Sequence, residues 1–213
     1  MSMTGAVRRR LSESLPYDEL LPEEQPAYVH SYVYLFGVAT IASFVLLIVT
    51  GVVLAAFGPQ WWHSSNVGHF FNSLHFWSVQ AFFFFMVVHL WTAFFQGAWR
   101  DGRGITWVAG VVTFLVSIVT AFTGYISQQN FDAQWIAVQG KDAMNSVGVG
   151  AFFNVLNFGQ MYGFHIFILP LAVAGLMGIH LALVRLRGVV KPYELGPKSA
   201  PPAANPSTTG KAS

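Results

Sequence analysis

Four long apolar stretches, separated by more polar segments, dominate the hydrophobic pattern of the chain. They run near Val33 to Phe57, Leu74 to Phe95, Ile105 to Ile126 and Phe164 to Leu186. Each can cross about 30 Å of hydrocarbon as a helix, which takes roughly 20 residues. Since a helix satisfies its own backbone polar groups inside a bilayer, the pattern predicts an all-α, integral membrane four-helix bundle.

The composition supports a membrane protein and excludes other classes. Of the 213 residues 54% are hydrophobic and only 9% are charged, which is unusual for a soluble domain. The net charge of +2, without a cluster of basic and aromatic residues, argues against nucleic-acid binding. The absence of cysteine excludes disulfides, thiolate-held iron–sulfur clusters and thioether-attached haem in this chain. Histidine is therefore the expected metal ligand.

The segments that flank the spans define three regions. Residues 1–32 form a leader in which LSESLPYDELLP is predicted to be either an amphipathic surface helix or a loose segment. No removable signal peptide is evident, so we expect the first span to direct insertion itself. Residues 33–190 form the four-span domain, and residues 191–213, rich in Pro, Ala, Ser and Thr, are expected to be disordered.

The positions of lysine and arginine predict the orientation of the bundle, because segments rich in these residues stay cytoplasmic. Arg8 to Arg10 precede the first span, Arg100 and Arg103 separate the second and third, and Arg185, Arg187 and Lys191 end or follow the fourth. Lys141 is the lysine on the other side. We therefore expect both termini in the cytoplasm, and the second and fourth spans to run parallel, from outside to inside.

Two histidine pairs lie within these parallel spans. His89 follows His75 by fourteen positions in the second span, and His180 follows His165 by fifteen positions in the fourth. At about 1.5 Å and 100° per residue, each pair stays on one side of its helix, roughly 21 to 23 Å apart. His75 is then level with His165 near the outer face, and His89 with His180 near the inner face. Each level offers the two axial imidazoles of a haem iron.

Four glycines repeat the spacing of the histidines. Gly51 follows Gly37 by fourteen positions in the first span, and Gly124 follows Gly110 by the same step in the third. Since these spans run inside to outside, Gly37 and Gly110 fall at the inner level, and Gly51 and Gly124 at the outer one. A missing side chain lets a flat ring approach the helix backbone. The pattern thus predicts two haems in the core of the bundle.

Other interpretations of these residues stay open. The histidines could instead hydrogen-bond between helices, and the glycines could serve helix packing alone. Zinc fits less well, since each level has two ligands where structural zinc takes four. Arg185 and Arg187 are candidates for binding the inner haem propionates, or ordinary positive-inside anchors.

Further residues outside the spans also have two interpretations. His30 precedes the first span, and His63 and His69 are placed in a short outer loop. Each is either solvated or a candidate proton acceptor from a quinol. The outer segment between Ser127 and Gln160 is too long for a turn and has apolar patches, so it is expected to fold against the membrane surface.

The sequence between about residues 25 and 195 resembles the amino-terminal, haem-carrying half of cytochrome b, especially the short split form of cytochrome bf-type complexes. The motifs that match in order are SLHFWS around His75, RGITWVAGVV, FTGY and HIFILP, together with the two histidine steps of fourteen and fifteen positions. By this resemblance His75 and His165 bind the outer haem, and His89 and His180 the inner haem. The resemblance also implies a quinone or quinol and a prokaryotic cell membrane.

Three departures from the family pattern lie near the outer level. Where the family has GY-x-LPW-x-Q after the third span, this chain has GYISQQNF, without the Pro and Trp that help to shape the quinol-oxidation pocket. Asn72 and Gln160 stand where the family has arginines. The outer haem would then lack its usual cations, a change expected to alter its potential.

The resemblance implies an electron carrier between a quinone site and a partner redox subunit of a respiratory or photosynthetic complex. The partners would be a carboxy-terminal cytochrome b subunit, an iron–sulfur protein or a c-type cytochrome, and a homodimer is one option. Alternatively, the chain is the haem anchor of a dehydrogenase- or hydrogenase-type complex without quinol bifurcation. A non-redox membrane scaffold is the rival from another class. Membrane lipid surrounds the chain in each case.

Overall fold

The computed structural model describes residues 32–190, with side chains from Tyr34 onward. Two predicted regions, the leader up to residue 31 and the tail of residues 191–213, lie outside the described residues. The described elements are α1 (Tyr32–Phe57), α2 (Pro59–Ser64), α3 (Asn66–Phe95), α4 (Gly104–Ser127), α5 (Phe131–Ser146), α6 (Phe158–Gly163), a π-helical turn (Phe164–Ile168) and α7 (Leu169–Arg187).

The four membrane spans predicted from the sequence are confirmed. Residues Tyr34–Phe57, Asn66–Phe95, Gly104–Ser127 and Phe158–Arg187 are each long and apolar enough to cross a bilayer. The last of these, called the fourth span below, comprises α6, the π turn and α7. Large apolar side chains such as Trp77, Trp91 and Phe95 are exposed on the outside of the bundle, as expected for a lipid-facing surface.

The spans associate as two helix pairs. α1 packs mainly along α3, and α4 packs mainly along α7, whereas α3 and α4 touch at few positions. The functional histidine candidates of α3 and of the fourth span point into the space between these pairs, where their rings meet. The centre of the bundle is therefore a space between two packed pairs, with histidines from both sides.

Small hydroxyl side chains occupy many of the buried positions. The buried residues Thr113, Ser117 and Ser127 donate to the carbonyl four residues earlier in α4, at 2.8 Å in each case. Thr40 and Ser43 do the same in α1, at 2.8 and 2.9 Å. These bonds satisfy the hydroxyls within their own helix, so that small polar residues can sit at helix contacts inside a membrane.

Two spans begin earlier than their apolar stretches suggest. α3 begins at Asn66, where the Ser65 hydroxyl accepts a hydrogen bond from the Gly68 amide. The fourth span begins at Phe158, where the Asn157 side chain accepts from the Gln160 amide. Side-chain caps of this kind start a helix among polar residues that hydropathy alone assigns to a loop. The placement of His63 and His69 in a loop was wrong, since His69 lies in the first turn of α3 and His63 lies in the short helix α2.

The outer segment between the third and fourth spans is folded onto the ends of the helices. α5 begins at Phe131, directly after Asn130, whose side chain accepts a hydrogen bond from the Ala133 amide at 2.8 Å. A small core joins Ala137 of α5 and Val155 of the following loop to Ile126 and Met161 at the ends of two spans. This packing fixes the outer ends of α4 and the fourth span relative to each other.

Close contact between α2 and α3 depends on Gly68. A Cβ atom placed there would lie 2.7 Å from the Trp62 Cα, and the contact is with backbone that cannot rotate away. We expect Gly68→Ala to displace α2 and to destabilise the protein by about 1–3 kcal/mol. Thermal unfolding in detergent, followed by tryptophan fluorescence, measures the loss.

Gly175→Ala is the matched control, because a Cβ there would meet no atom within 4 Å. Equal unfolding temperatures for the two variants would contradict this account of Gly68.

Candidate functional site

The four histidines meet as two pairs across the space between the helix pairs. The ring centres of His75 and His165 are 6.2 Å apart, and those of His89 and His180 are 6.4 Å apart. The outer level is defined by His75 and His165, and the inner level by His89 and His180. The pairing expected from the sequence is confirmed as a spatial arrangement, while iron ligation stays a prediction.

The ring separation suits a metal ion held between two imidazoles. Two metal–nitrogen bonds of about 2.0 Å each, with the distance from each nitrogen to its ring centre, give a total of roughly 6 Å. Among residues 34–190 no group of three or more His, Cys, Asp or Glu side chains could hold a metal ion. Two-ligand sites of this kind fit a haem, whose porphyrin supplies the remaining ligands, better than a structural zinc ion.

Hydrogen bonds fix the tautomers of the two histidines in the fourth span. The Nδ1 of His165 lies 2.9 Å from the Thr120 carbonyl oxygen, and the Nδ1 of His180 lies 2.9 Å from the Thr106 carbonyl oxygen. A carbonyl only accepts, so each Nδ1 donates and carries the proton. The Nε2 of each ring therefore keeps its lone pair for a metal, and the bond also sets the ring orientation.

His75 reaches the same tautomer through a hydroxyl. Its Nδ1 lies 2.8 Å from the Thr50 Oγ1, which itself donates its only proton to the Leu46 carbonyl at 2.8 Å. The hydroxyl must accept from His75, so the lone pair of His75 lies on Nε2. The Nδ1 of His89 differs, since it is buried and has no hydrogen-bond partner within the described part of the chain.

Each predicted glycine lies against the histidine of its own level. A Cβ on Gly37 would lie 3.2 Å from the His89 Cε1, and one on Gly51 would lie 3.3 Å from the His75 Cε1. On the other helix pair, a Cβ on Gly110 would lie 3.1 Å from the His180 Cε1. A Cβ on Gly124 would lie 2.8 Å from the His165 Nε2. The glycines thus make room for the imidazole rings, whereas the approach of a flat ring to the helix backbone stays a prediction.

The π turn explains how the two different histidine steps serve the same geometry. The histidine step in the fourth span is one residue longer than the step in α3. In a regular α-helix this extra residue would rotate one histidine of the span relative to the other by about a further 100°. The Leu169 amide bonds to the Phe164 carbonyl, five residues back, which places one extra residue in the turn that contains His165. Pro170 follows and has no N–H to donate. The wide turn absorbs the extra residue, so His165 still faces His75.

A cavity of about 560 Å³ lies at the outer level and is lined by His75, His165, Gly51 and Gly124. Its volume falls in the range of about 300–1,000 Å³ that is common for cofactor sites. Most of its other lining side chains are apolar, such as Phe82 and Val173. The cavity and the two imidazoles together fit a flat, largely apolar cofactor with a metal at its centre.

Hydrogen bonds that the sequence did not predict join polar groups near the outer end of this cavity. The side-chain amides of Asn72 and Gln128 bond to each other in both directions, at 3.1 and 3.0 Å. The Nε2 of His63, which is exposed, donates to the Gln128 carbonyl oxygen at 2.8 Å. These bonds join α2, α3 and the end of α4. The contacts depend on the three-dimensional fold, and no sequence spacing reveals them.

The two arginine candidates lie at the inner end of the fourth span and are exposed. Arg187 donates to the Gly102 carbonyl oxygen at 2.7 Å, which ties the span to the loop before α4. The binding of inner haem propionates by Arg185 and Arg187 stays a prediction. His30 lies outside the described residues.

Residues 80–204 match a protein family described as Cytochrome b(N-terminal)/b6/petB. The matched range contains His89, His165 and His180, and His75 lies shortly before it. Cytochrome b6 of Heliobacterium modesticaldum is 26% identical over 189 residues, covering 78% of this chain and 89% of that protein. The menaquinol:cytochrome c reductase cytochrome b subunit of Geobacillus thermodenitrificans is 28% identical over 200 residues, covering 82% and 89%.

The fold is also similar to a solved structure titled "Hyperthermophilic respiratory Complex III". The TM-score is 0.69 and the sequence identity is 20%, and the match covers 87% of this chain and 55% of that chain. This chain therefore spans about half the length of the structure that it matches. The likeness supports the helical architecture described above.

The π turn leads to a prediction about chain length. Deleting Phe167, which is 67% exposed, should let the fourth span become a regular helix whose histidine step equals that of α3. We expect the variant to keep its full cofactor content, measured as haem per protein by the pyridine haemochrome assay.

Deleting Phe84 of α3 is the matched control, since that side chain is similarly exposed but its helix contains no wide turn. The step shortened by one residue would rotate one histidine away by about 100°, so one of the haems should be lost. A loss of haem on deleting Phe167, with none on deleting Phe84, would contradict the account.

Proposed function

Because the chain belongs to the cytochrome b(N-terminal)/b6 family, whose members bind haem b, we propose that it binds two b-type haems and carries electrons across the membrane between them. In this proposal His75 and His165 bind the iron of the outer haem, and His89 and His180 bind the iron of the inner haem. The observation that carries it is the pair of ring separations, 6.2 and 6.4 Å, at two levels of one bundle.

The described groups of the chain perform two tasks in this proposal. The carbonyl oxygens of Thr120 and Thr106 and the hydroxyl of Thr50 hold three imidazoles with Nε2 turned toward the ligand position. Apolar residues of both helix pairs exclude water from the space between the pairs. A haem bound at either level would supply a one-electron carrier, and with both axial positions occupied it would favour electron transfer over binding of substrate at iron.

The proposed path lies along the membrane normal. The step from His75 to His89 in α3 separates the two levels by about 21 Å. Moving one electron through the full membrane potential changes the free energy by about 2.3 kcal/mol per 100 mV. The direction of transfer therefore decides whether this step consumes or stores energy.

The proposal also covers the membrane in which the chain lies and its redox partners. We infer a prokaryotic cell membrane, cytoplasmic termini, a quinone or quinol as one electron partner, and further redox subunits. The relative from Geobacillus thermodenitrificans is named as a subunit of a menaquinol:cytochrome c reductase. That name supports further redox subunits as partners. Our proposal for these partners is a carboxy-terminal cytochrome b subunit, an iron–sulfur protein or a c-type cytochrome, with a homodimer as one option.

A second version is favoured by the polar groups at the outer end of the cavity. The neutral Asn72–Gln128 pair occupies a region where the family resemblance leads one to expect an arginine and a quinol-pocket motif. In this version the chain is the haem anchor of a dehydrogenase- or hydrogenase-type complex. Co-purification with a redox subunit other than an iron–sulfur protein of the quinol-oxidising type would favour this version. A quinol-site inhibitor that blocks reduction of the outer haem would favour the first.

A non-redox scaffold, in which the histidines only hydrogen-bond between helices, is the rival proposal. Three of the Nδ1 atoms do bond to a neighbouring helix, an arrangement that serves a scaffold as well as a ligand site. The colour of the purified protein distinguishes the two proposals, since a scaffold predicts a colourless protein.

Single substitutions of the histidines should remove one haem at a time. We expect His75→Ala or His165→Ala to abolish the outer haem and leave the inner one, and His89→Ala or His180→Ala to do the reverse. Reduced-minus-oxidised spectra of the purified complex separate the two components. Loss of both components from one substitution, in a folded protein, would contradict the assignment to two levels.

Substitution of a level-matched glycine should block the cofactor site. A side chain at Gly51 or Gly124 would enter the space occupied by the His75 or His165 ring, so Gly51→Leu and Gly124→Leu should displace the ring and remove the outer haem. Gly178→Leu is the matched control, since a Cβ there meets no atom within 4 Å. Unchanged outer haem content in Gly124→Leu would show that the glycine is not required.

A further inference from the structure

Two buried hydrogen-bond donors line the outer cavity without a partner. The Trp62 Nε1 and the Tyr162 hydroxyl are both inaccessible to solvent, and neither has a hydrogen-bond partner among residues 34–190. Trp62 as a whole is only 4% exposed. A buried polar group without a partner costs about 1–3 kcal/mol, so such groups commonly mark the place of a bound ligand.

The polar groups of the cavity are concentrated at one end. Trp62 belongs to α2 and Tyr162 to α6, which lie before the histidines of the adjoining spans on the outer side. Asn72, shortly before His75, and Gln128, shortly after Gly124, lie at the same end. Farther in, the lining consists mainly of apolar side chains such as Leu47, Phe83 and Val173. The cavity therefore suits a flat apolar molecule with acceptor atoms along one edge.

The donors at this end are neutral. The described residues that line the cavity include no lysine, arginine, aspartate or glutamate. The indole N–H can only donate, and the Tyr162 hydroxyl is free to donate. Each amide of the Asn72–Gln128 pair uses one N–H within the pair and carries a second. An anionic acceptor would here be bound by hydrogen bonds from uncharged groups.

We propose that the Trp62 indole and the Tyr162 hydroxyl, supported by the Asn72–Gln128 amide pair, bind the carboxylates of the outer haem. This inference rests on the proposed function, since it assumes a haem between His75 and His165. The carboxylates are the acceptors along one edge of an otherwise apolar ring. Hydrogen bonds from neutral donors stabilise them without a positive charge, and so contribute to the potential of the outer haem.

A quinone oxygen is the other acceptor that these donors could serve. The haem carboxylates are favoured because the donors line the same cavity as both proposed iron ligands and the glycines of that level, Gly51 and Gly124. A quinone at the donors would have to share this cavity with the ring that the histidines hold. The two acceptors predict different results, because only a carboxylate of the haem couples the donors directly to the haem potential.

The test is a redox titration of both haems in the purified complex, with Tyr162→Phe and Trp62→Phe. Each variant removes a donor and keeps an aromatic ring. Without the donor, the negative charge of the carboxylate is less stabilised and favours ferric iron. At a fixed ambient potential, we expect the ferrous-to-ferric ratio of the outer haem to fall by up to about tenfold. For a one-electron couple this corresponds to a reduction potential lower by up to about 59 mV. The inner haem potential should not change.

Two matched controls separate this role from general packing. Tyr125→Phe removes the hydroxyl of a residue next to Gly124 that does not line the cavity. Trp107→Phe removes an indole N–H that, like that of Trp62, is buried without a partner in the described region, but Trp107 does not line the cavity. Both controls should leave the outer haem potential unchanged. Equal shifts in controls and test variants would overturn the proposal.

Infrared redox difference spectra provide a second readout in the same samples. On reduction of the outer haem, the carboxylate bands should differ between Tyr162→Phe and the unsubstituted protein. Full haem content with an unshifted potential and unchanged carboxylate bands in both test variants would overturn the assignment of these donors and leave the proposed function intact, even if quinol turnover fell. Absence of the outer haem from the unsubstituted protein would instead overturn the proposed function itself.

Discussion

The distance between opposing imidazoles is the constraint on which the rest of the structure depends. A flat cofactor held from both faces requires two rings about 6 Å apart, and the rings must come from helices that do not pack directly on each other. The chain meets this requirement by assembling two tight helix pairs, α1 with α3 and α4 with α7, and leaving a space between them. A glycine on the other helix of the same pair lets each histidine ring lie close to that helix backbone. The opposing rings therefore face each other while the space between the two helix pairs stays open.

The same constraint accounts for features that local structure alone leaves unexplained. The π turn is a local irregularity in the fourth span, but it keeps His165 in register with His75 despite a spacing one residue longer. The hydroxyl of Thr50 uses its proton on its own helix and so accepts from His75. At the outer end of the cavity, neutral donors are proposed to bind the carboxylates of the outer haem in place of charged side chains. In this proposal, backbone, hydroxyl and amide groups act together on one ligand position.

Sequence reasoning predicted the elements that depend on regular periodicity. The four spans, the pairing of histidines and the levels of the glycines follow from hydropathy and helical spacing, because the helices are long and nearly regular. The early start of α3, which moved His69 from a loop into a helix, depends on a side-chain cap rather than on hydropathy. The π turn is a local departure from the regular helix, and the Asn72–Gln128 pair joins elements far apart in sequence; helical periodicity encodes neither of them. The roles proposed for Trp62 and Tyr162 follow only from the shape and lining of the cavity.

The most direct measurement is haem quantification of the purified complex, combined with low-temperature electron paramagnetic resonance of the oxidised protein. The account predicts two haems for each copy of this chain, both low-spin with two imidazole ligands, and the loss of one such signal when either histidine of a level is replaced. A single haem, a high-spin iron at either level, or a bundle whose centre contains only amino-acid side chains would contradict it.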